Sequence, residues 1–289
     1  MSRKIIVHAH IFKNAGSTFE WSLNRNLRKK FEIIRRNPSL WNDSNELNRI
    51  IGNNGQLTAV SAHWVNLNHI NDWEFDAIPY LLLRNPLERI KSVYNFEKTQ
   101  YENETKSAKM AKKYSFAEYV EWSMSNPGHF VLQNHQTRFL SGELIGKISE
   151  QTLNGALRQA SLIPTIGCVD KYDESMVVLE EALIKENYHL DLSYVRRNSS
   201  QDTQLSVQDK ISMLRTELAG LYHDIENDNK YDQILYQNAQ DNLSTQISQI
   251  KGFDQKLDDF RERCALASKG ESMRYKSRFS KLKKIFSLK

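Results

Sequence analysis

Residues 4–12 are apolar and β-prone, and the period changes just beyond the short run Lys13-Asn14-Ala15-Gly16-Ser17. From residue 18 to about 30, Phe19, Leu23 and Leu27 recur at i, i+4 and i+8, which is one face of a helix. Strand, small-residue loop and helix at the opening of a chain predict a parallel α/β sheet. Further strands are predicted at 57–62 and at 78–83, the latter nearly continuous in apolar residues, as a strand buried on both faces requires. Pro79 is tolerable there only near the strand's start. Arg84 ends that strand, and Asn85-Pro86 supply an N-cap and a first helical residue for a helix carrying Arg89, Ser92 and Tyr94. Beyond residue 105 the pattern is mainly helical, at about 115–125, 130–141, 149–160, 172–186, 207–222 and 228–242, with one short strand at 163–169. The expectation is an α/β protein, a parallel-sheet domain over residues 1–245 with a largely helical C-terminal half. A polar helical extension follows over 246–289.

Composition changes this picture little. The 289 residues are 39% apolar and 26% charged, as in an ordinary globular protein with a real core. No run of about 18 apolar residues predicts a membrane span, and Ile5-Ile6-Val7 is too short for a signal peptide's apolar region. Cys168 and Cys264 lie 96 apart, without metal-ligand spacing, which points to a reducing, cytoplasmic setting. Charge is more telling by position. From Lys269 to Lys289, eight Lys or Arg face one Glu, a net +7, so of the chain's +5 the first 268 residues hold about −2. A body with no basic footprint of its own is not expected to bind nucleic acid.

The loop after the first strand has the chemistry of an anion site. A helix N-terminus offers backbone N–H groups and a positive dipole end. Lys13 adds a charge, Ser17 and Thr18 add hydroxyls, and Ala15 and Gly16 let a phosphate approach the backbone. This is not the nucleoside-triphosphatase loop, in which lysine follows the glycines. Nor does the 78–83 strand end on the aspartate that would hold Mg²⁺; it ends on Arg84. Two cations and no carboxylate clamp suit a polyanion that arrives without a metal. Arg84 and Ser92, eight apart at a strand end and in the next helix, can both face the crevice at the carboxyl ends of parallel strands.

These two segments resemble the PAPS-dependent sulfotransferases, in particular the carbohydrate branch with the heparan sulfate and uronyl 2-O-sulfotransferases (PAPS is 3′-phosphoadenosine 5′-phosphosulfate). His10-Ile11-Phe12-Lys13-Asn14-Ala15-Gly16-Ser17-Thr18 is similar to the branch's 5′-phosphosulfate loop, and Arg84-Asn85-Pro86 through Ser92-Val93-Tyr94 to its 3′-phosphate loop. The two stand in the family's order, about 70 residues apart. Asn134 to Gly142 and Gly167 to Ser175 are similar to segments further along, so the likeness spans roughly residues 4–240. The resemblance implies a P-loop-like sulfotransferase fold and transfer of a sulfuryl group from PAPS to a saccharide hydroxyl, leaving PAP, without a metal. It implies that Lys13 contacts the 5′-phosphosulfate and offsets charge on the bridging oxygen. Asn14, Ala15, Gly16, Ser17 and Thr18 would line the 5′-phosphate, while Arg84 and Ser92 would grip the 3′-phosphate. Charged hydrogen bonds of that kind contribute roughly 1.5–3 kcal/mol each.

An attacking hydroxyl needs a base, which typically contributes about 10²–10⁴-fold. His63, in Ser61-Ala62-His63-Trp64 just past the second predicted strand, is the candidate, with His69 in the polar loop beyond as the other choice. The 2-O-sulfotransferases carry a His-x-His pair at the matching place with the second histidine as base; here Ser61 replaces the first. His8 and His10 share a strand face and are expected to be buried and structural. Trp64 and Trp73 could stack on a sugar or simply pack, and Arg138 could meet a ligand or cap a helix. In the tail, Tyr275, Phe279, Leu282 and Phe286 recur at helical spacing among lysines and arginines, a pattern suited to an anionic membrane surface at the inner face or to a solvated terminus over 272–289. The competing functions are an ATP-dependent P-loop kinase and a non-catalytic glycan- or membrane-binding relative.

Overall fold

The computed structural model describes residues 3–101, 105–126, 128–195 and 205–286, the side chains of 271–286 excepted. In chain order the elements are β1 (Lys4–Ala9), α1 (Gly16–Leu27), β2 (Phe31–Ile34), α2 (Ser39–Asn42), α3 (Ser44–Asn53), β3 (Ala59–Ala62), β4 (Asp76–Leu83), α4 (Pro86–Lys98), α5 (Lys106–Lys113) and α6 (Phe116–Met124). There follow α7 (His135–Ser141), α8 (Glu150–Ser161), β5 (Thr165–Cys168), α9 (Tyr172–Lys185), α10 (Val207–Leu218), α11 (Tyr222–Asn227), α12 (Lys230–Gln249) and α13 (Phe253–Phe286).

The five strands are all parallel, in the order β2-β3-β1-β4-β5. The fold is α/β. From β1 the chain moves to β2 on one side; from β4 it moves to β5 on the other. The order therefore reverses between β1 and β4, and open parallel sheets bind ligands outside the strand ends at such a point. Both predicted anion loops leave the sheet there.

Alternation along β1 divides the core. Ile5, Val7 and Ala9 join Val60, Ala62, Leu81 and Leu83 on one face, covered by residues of α3, α7, α8 and α12. Ile6, with Ala59, Tyr80 and Leu82, faces Phe19 and Leu23 of α1, Met176 and Leu183 of α9, and Leu257 and Phe260 of α13. The start of the C-terminal extension thus packs into the core, and α12 runs through residue 245. A third cluster joins α4, α5, α6, α10 and α11. Pro79 lies where β4 has only β1 beside it, because pairing with β5 begins at Tyr80–Thr165, so its missing N–H deprives no β5 partner.

Several elements differ from the sequence pattern. The first helix ends at Leu27 and a 3₁₀ turn leads into β2, a four-residue edge strand too short to show a period. The expected helix over 130–141 is a 3₁₀ turn followed by α7, which starts at the left-handed Asn134. α5 carries no marked apolar stripe in the sequence, since it buries only Ser107, Ala108 and Ala111. Among the described residues no helix is long and apolar enough to cross a membrane. α13 is helical in its backbone through Phe286; the aromatic and basic pattern of the tail lies on side chains outside the described residues.

Candidate active site

The loop after β1 is held in an uncommon shape. Lys13 and Ala15 both have positive φ, 66° and 61°, a region that costs a residue with a Cβ and persists only where its surroundings enforce it. Ala15 is the N-cap of α1 and has no side-chain oxygen with which to cap it. A helix start has four N–H groups without intrahelical partners. Here Thr18 N–H returns to Ala15 O, and among the described residues no side chain caps the rest. α4 is built the other way: Asn85 Oδ1 accepts from the N–H groups of Leu87 and Glu88, with Pro86 at the first helical position.

Buried polar ties fix the two loops to each other. Asn14, only 1% exposed, donates from Nδ2 to Leu82 O and to Gln136 Oε1, both at 2.7 Å, and its own N–H goes to Ile11 O. It shapes the loop and offers no free donor to a ligand. Gln136 also accepts from Arg84 N at 2.9 Å and donates from Nε2 to Arg84 O at 2.9 Å. Asp232 holds Gln136 in turn, accepting from the backbone N–H of Gln136 and Thr137 and from the Thr137 hydroxyl. Arg89 is fully buried and donates to Phe12 O and Val131 O, a strut beneath the loop. Gln136 and Arg89 sat inside the quoted motifs, yet only the fold shows what they join.

Lys13 and Arg84 come together at the switch point. Arg84 Nη1 donates to Lys13 O at 3.3 Å, and its Nε lies 3.5 Å from Glu88 Oε2. Lys210 stands on the other side of Glu88, 3.5 Å from Oε1. Lys13 Nζ lies over the Phe96 ring, 4.4 Å from its centroid. Burial pulls the Lys13 pKa down to about 8, Arg84 adds to that, and Glu97 opposes it. Two cations so placed repel each other, and a polyanion between them would relieve the repulsion. Ser17 is exposed at the helix start and Thr18 is buried behind it. Ser92 is half-buried two turns along α4, with no hydrogen bond to Arg84 or Lys13 among the described residues.

His63 stands past the end of β3, beside β1. Its Nδ1 donates to His10 O at 2.7 Å, which leaves Nε2 as the basic lone pair. The residue is exposed, but its ring packs inward against that of His10 with centroids 4.0 Å apart. Desolvation, and His10 after it, lower the His63 pKa to about 4, so the imidazole is neutral at pH 7. His69 lies in a 3₁₀ turn, with Nε2 3.5 Å from Asn66 Nδ2. Trp64 is 38% exposed beside His63, whereas Trp73 is 9% exposed and stacks on Phe75. Arg138 donates to Gln133 O and Gly146 O and lies over Phe130, a structural role.

Behind His63, Glu20 Oε1 accepts from Ser61 Oγ and pairs with His10 Nδ1, both at 2.8 Å, and His8 Nδ1 meets Ser61 Oγ at 2.8 Å. His8 and His10 are buried, as expected. Ser61 is also fully buried, turned into this network rather than toward His63. Gly16 is required here: a Cβ on it would lie 2.1–2.6 Å from the His10 ring. His8, His10 and Glu20 bring possible ligand atoms within 4.8 Å of one another. Hydrogen bonds already engage Nδ1 of both histidines and Oε1 of Glu20 in one polar network.

The parallel sheet thus carries two cationic loops at its switch point and a neutral histidine at the same edge. The model of the sulfotransferase family matches residues 2–278, and the chain belongs to that family, whose chemistry is sulfuryl transfer. The chain is 26% identical over 249 residues to an uncharacterised protein of Archaeoglobus fulgidus, covering 83% of this chain and 98% of that one. It is also similar to the crystal structure of a sulfotransferase from Alicyclobacillus acidocaldarius, with a TM-score of 0.43 and 12% identity over 82% of this chain and 97% of the other.

Proposed function

We propose that the protein transfers a sulfuryl group from PAPS to a saccharide hydroxyl, with His63 as general base. The observation that carries the reading is the convergence of Lys13 and Arg84 between the uncapped start of α1 and the end of β4. In this reading the α1 N–H groups, Ser17 and Thr18 receive the 5′-phosphosulfate, and Arg84 and Ser92 the 3′-phosphate. A nucleotide with anionic groups at both ends fits two separate cationic loops. ATP with Mg²⁺ would require a carboxylate where Arg84 stands.

His63 Nε2 takes the acceptor's proton as the acceptor oxygen bonds to sulfur. The bond from sulfur to the bridging oxygen breaks, its electron pair stays on the 5′-phosphate, and Lys13 offsets that charge. The saccharide acceptor rests on the likeness of the loops to the carbohydrate branch. Trp64, exposed beside His63, offers a ring face for a sugar. The sparse cysteines and the basic stretch 272–289 favour a cytoplasmic enzyme that meets an anionic membrane face, where a lipid-linked glycan would be presented.

A transfer screen with labelled PAPS against polysaccharide and glycolipid extracts tests the reading. Sulfated saccharide dependent on His63 supports it. Phosphate transfer from ATP with Mg²⁺, and none from PAPS, would overturn it.

A further inference from the structure

Buried behind His63 is a chain of polar groups whose protons the geometry assigns. Glu20 is held below its ordinary pKa: burial alone would raise it, but the His10 and Ser61 hydrogen bonds and the electrostatic effect of Arg35 prevail. A carboxylate only accepts. Both of its partners must therefore donate, His10 from Nδ1 and Ser61 from its hydroxyl. The single Ser61 hydrogen is then committed, and His8 Nδ1 must donate to Ser61 Oγ. Burial holds the His8 pKa well below its ordinary value, so His8 is the neutral Nδ1–H tautomer. Glu20 carries the negative charge of this chain.

One end of the chain touches the base. The His10 ring that Glu20 anchors is the ring lying 4.0 Å from His63, and the carbonyl receiving His63 Nδ1–H belongs to the same residue. On its other side that ring is bounded by Gly16, so it has nowhere else to go. Five charged or titratable groups bear on His63 from the packed elements. They are His8 from β1, His10 just beyond it, Glu20 from α1, Arg35 from the segment after β2, and His135 from α7. Glu20 favours a proton on His63, whereas Arg35 and the electrostatic effect of His8, His10 and His135 oppose it.

We propose that Glu20 is a positioning residue for His63: it pins His10, whose carbonyl and ring fix the tautomer and plane of the base, and its charge offsets the proton that His63 takes from the acceptor. During transfer the proton passes from the acceptor hydroxyl to His63 Nε2. The Nδ1–H bond to His10 O stays intact, and Glu20 remains a carboxylate with no proton crossing to it. Ser61 serves this arrangement from behind, as the second donor to Glu20. The inference rests on His63 being the base.

Glu20→Gln in the full-length protein tests it. The expected result is a 10- to 100-fold fall in kcat at pH 7, with PAP affinity within threefold of the parent. In long-range ¹H–¹⁵N spectra of the parent at pH 7, His63 should be a single Nδ1–H tautomer, and in E20Q both tautomers should appear. An unchanged kcat, or a fall in kcat with His63 still wholly Nδ1–H, overturns the proposal. If E20Q does not fold, Ser61→Ala removes one donor to Glu20 and should lower kcat three- to tenfold without weakening PAP; an unaltered kcat there also overturns it. Turnover that survives in His63→Ala would instead strike the base assignment, a result separate from the tautomer readout.

Discussion

Arg84 closes the end of β4 by donating to the carbonyl of Lys13, so the two cations that leave neighbouring strands are tied through the backbone of one and the side chain of the other. Loss of either should therefore disturb both anion loops. For Arg84→Ala the expected outcome is a loss of PAP affinity of at least tenfold by calorimetry, in keeping with about 1.5–3 kcal/mol per charged hydrogen bond. Affinity within twofold of the parent would remove Arg84 from the nucleotide site.

Lys13 carries a pH signature. Its pKa in the free protein is about 8, and an anion bound beside it raises that value. Binding then takes up a proton above pH 8. PAP affinity should be level near pH 7 and fall above pH 8, by up to tenfold per unit, while Lys13→Met should lose that slope. An equal slope in the parent and the Lys13→Met variant would contradict the assignment.

His63→Ala should reduce transfer by about 10²–10⁴-fold and leave PAP affinity nearly unchanged. Because the His63 pKa is lowered to about 4, the base is neutral at pH 7 and becomes protonated only as pH falls through that value. The acid limb of kcat/KM should accordingly lie near pH 4, well below the ordinary histidine range. A limb near pH 6.5 would point to a different group.

Gly16→Ala puts a Cβ into the His10 ring, which Glu20 and His63 hold in place. Overpacking of this kind costs about 1–3 kcal/mol. A lower Tm by thermal unfolding is the expected result, and an unchanged one would mean that the ring moves freely.

Gln136→Leu keeps the volume but leaves Arg84 N–H and O and one Asn14 donor without their side-chain partner. Unsatisfied buried groups cost about 1–3 kcal/mol each. Both urea stability and PAP affinity should fall together, as only a strut shared by the two loops would require.

The sequence made much of this legible where a local rule acts alone. Strand, loop and helix at residues 4–30 and the Asn85-Pro86 start of α4 were readable, because capping chemistry and apolar periodicity are local. β2 was not, since four residues on a sheet edge show no period. Asn14 read as a phosphate ligand because of its place in the loop; its amide is taken by Leu82 and by Gln136, the latter 122 positions away in the chain. Gly16 read as room for a phosphate, and the fold adds the His10 ring as the reason for it. The His8–Ser61–Glu20–His10 network was hidden for the same reason. It joins β1, β3 and α1, and its meaning lies in which hydrogens the partners hold.

Calorimetric titration of PAP into the parent protein and into Lys13→Met and Arg84→Ala, with EDTA and again with Mg²⁺, reaches the centre of the account. It predicts saturable binding that needs no metal and weakens in each variant. Binding that appears only with Mg²⁺, or that neither substitution weakens, would contradict it.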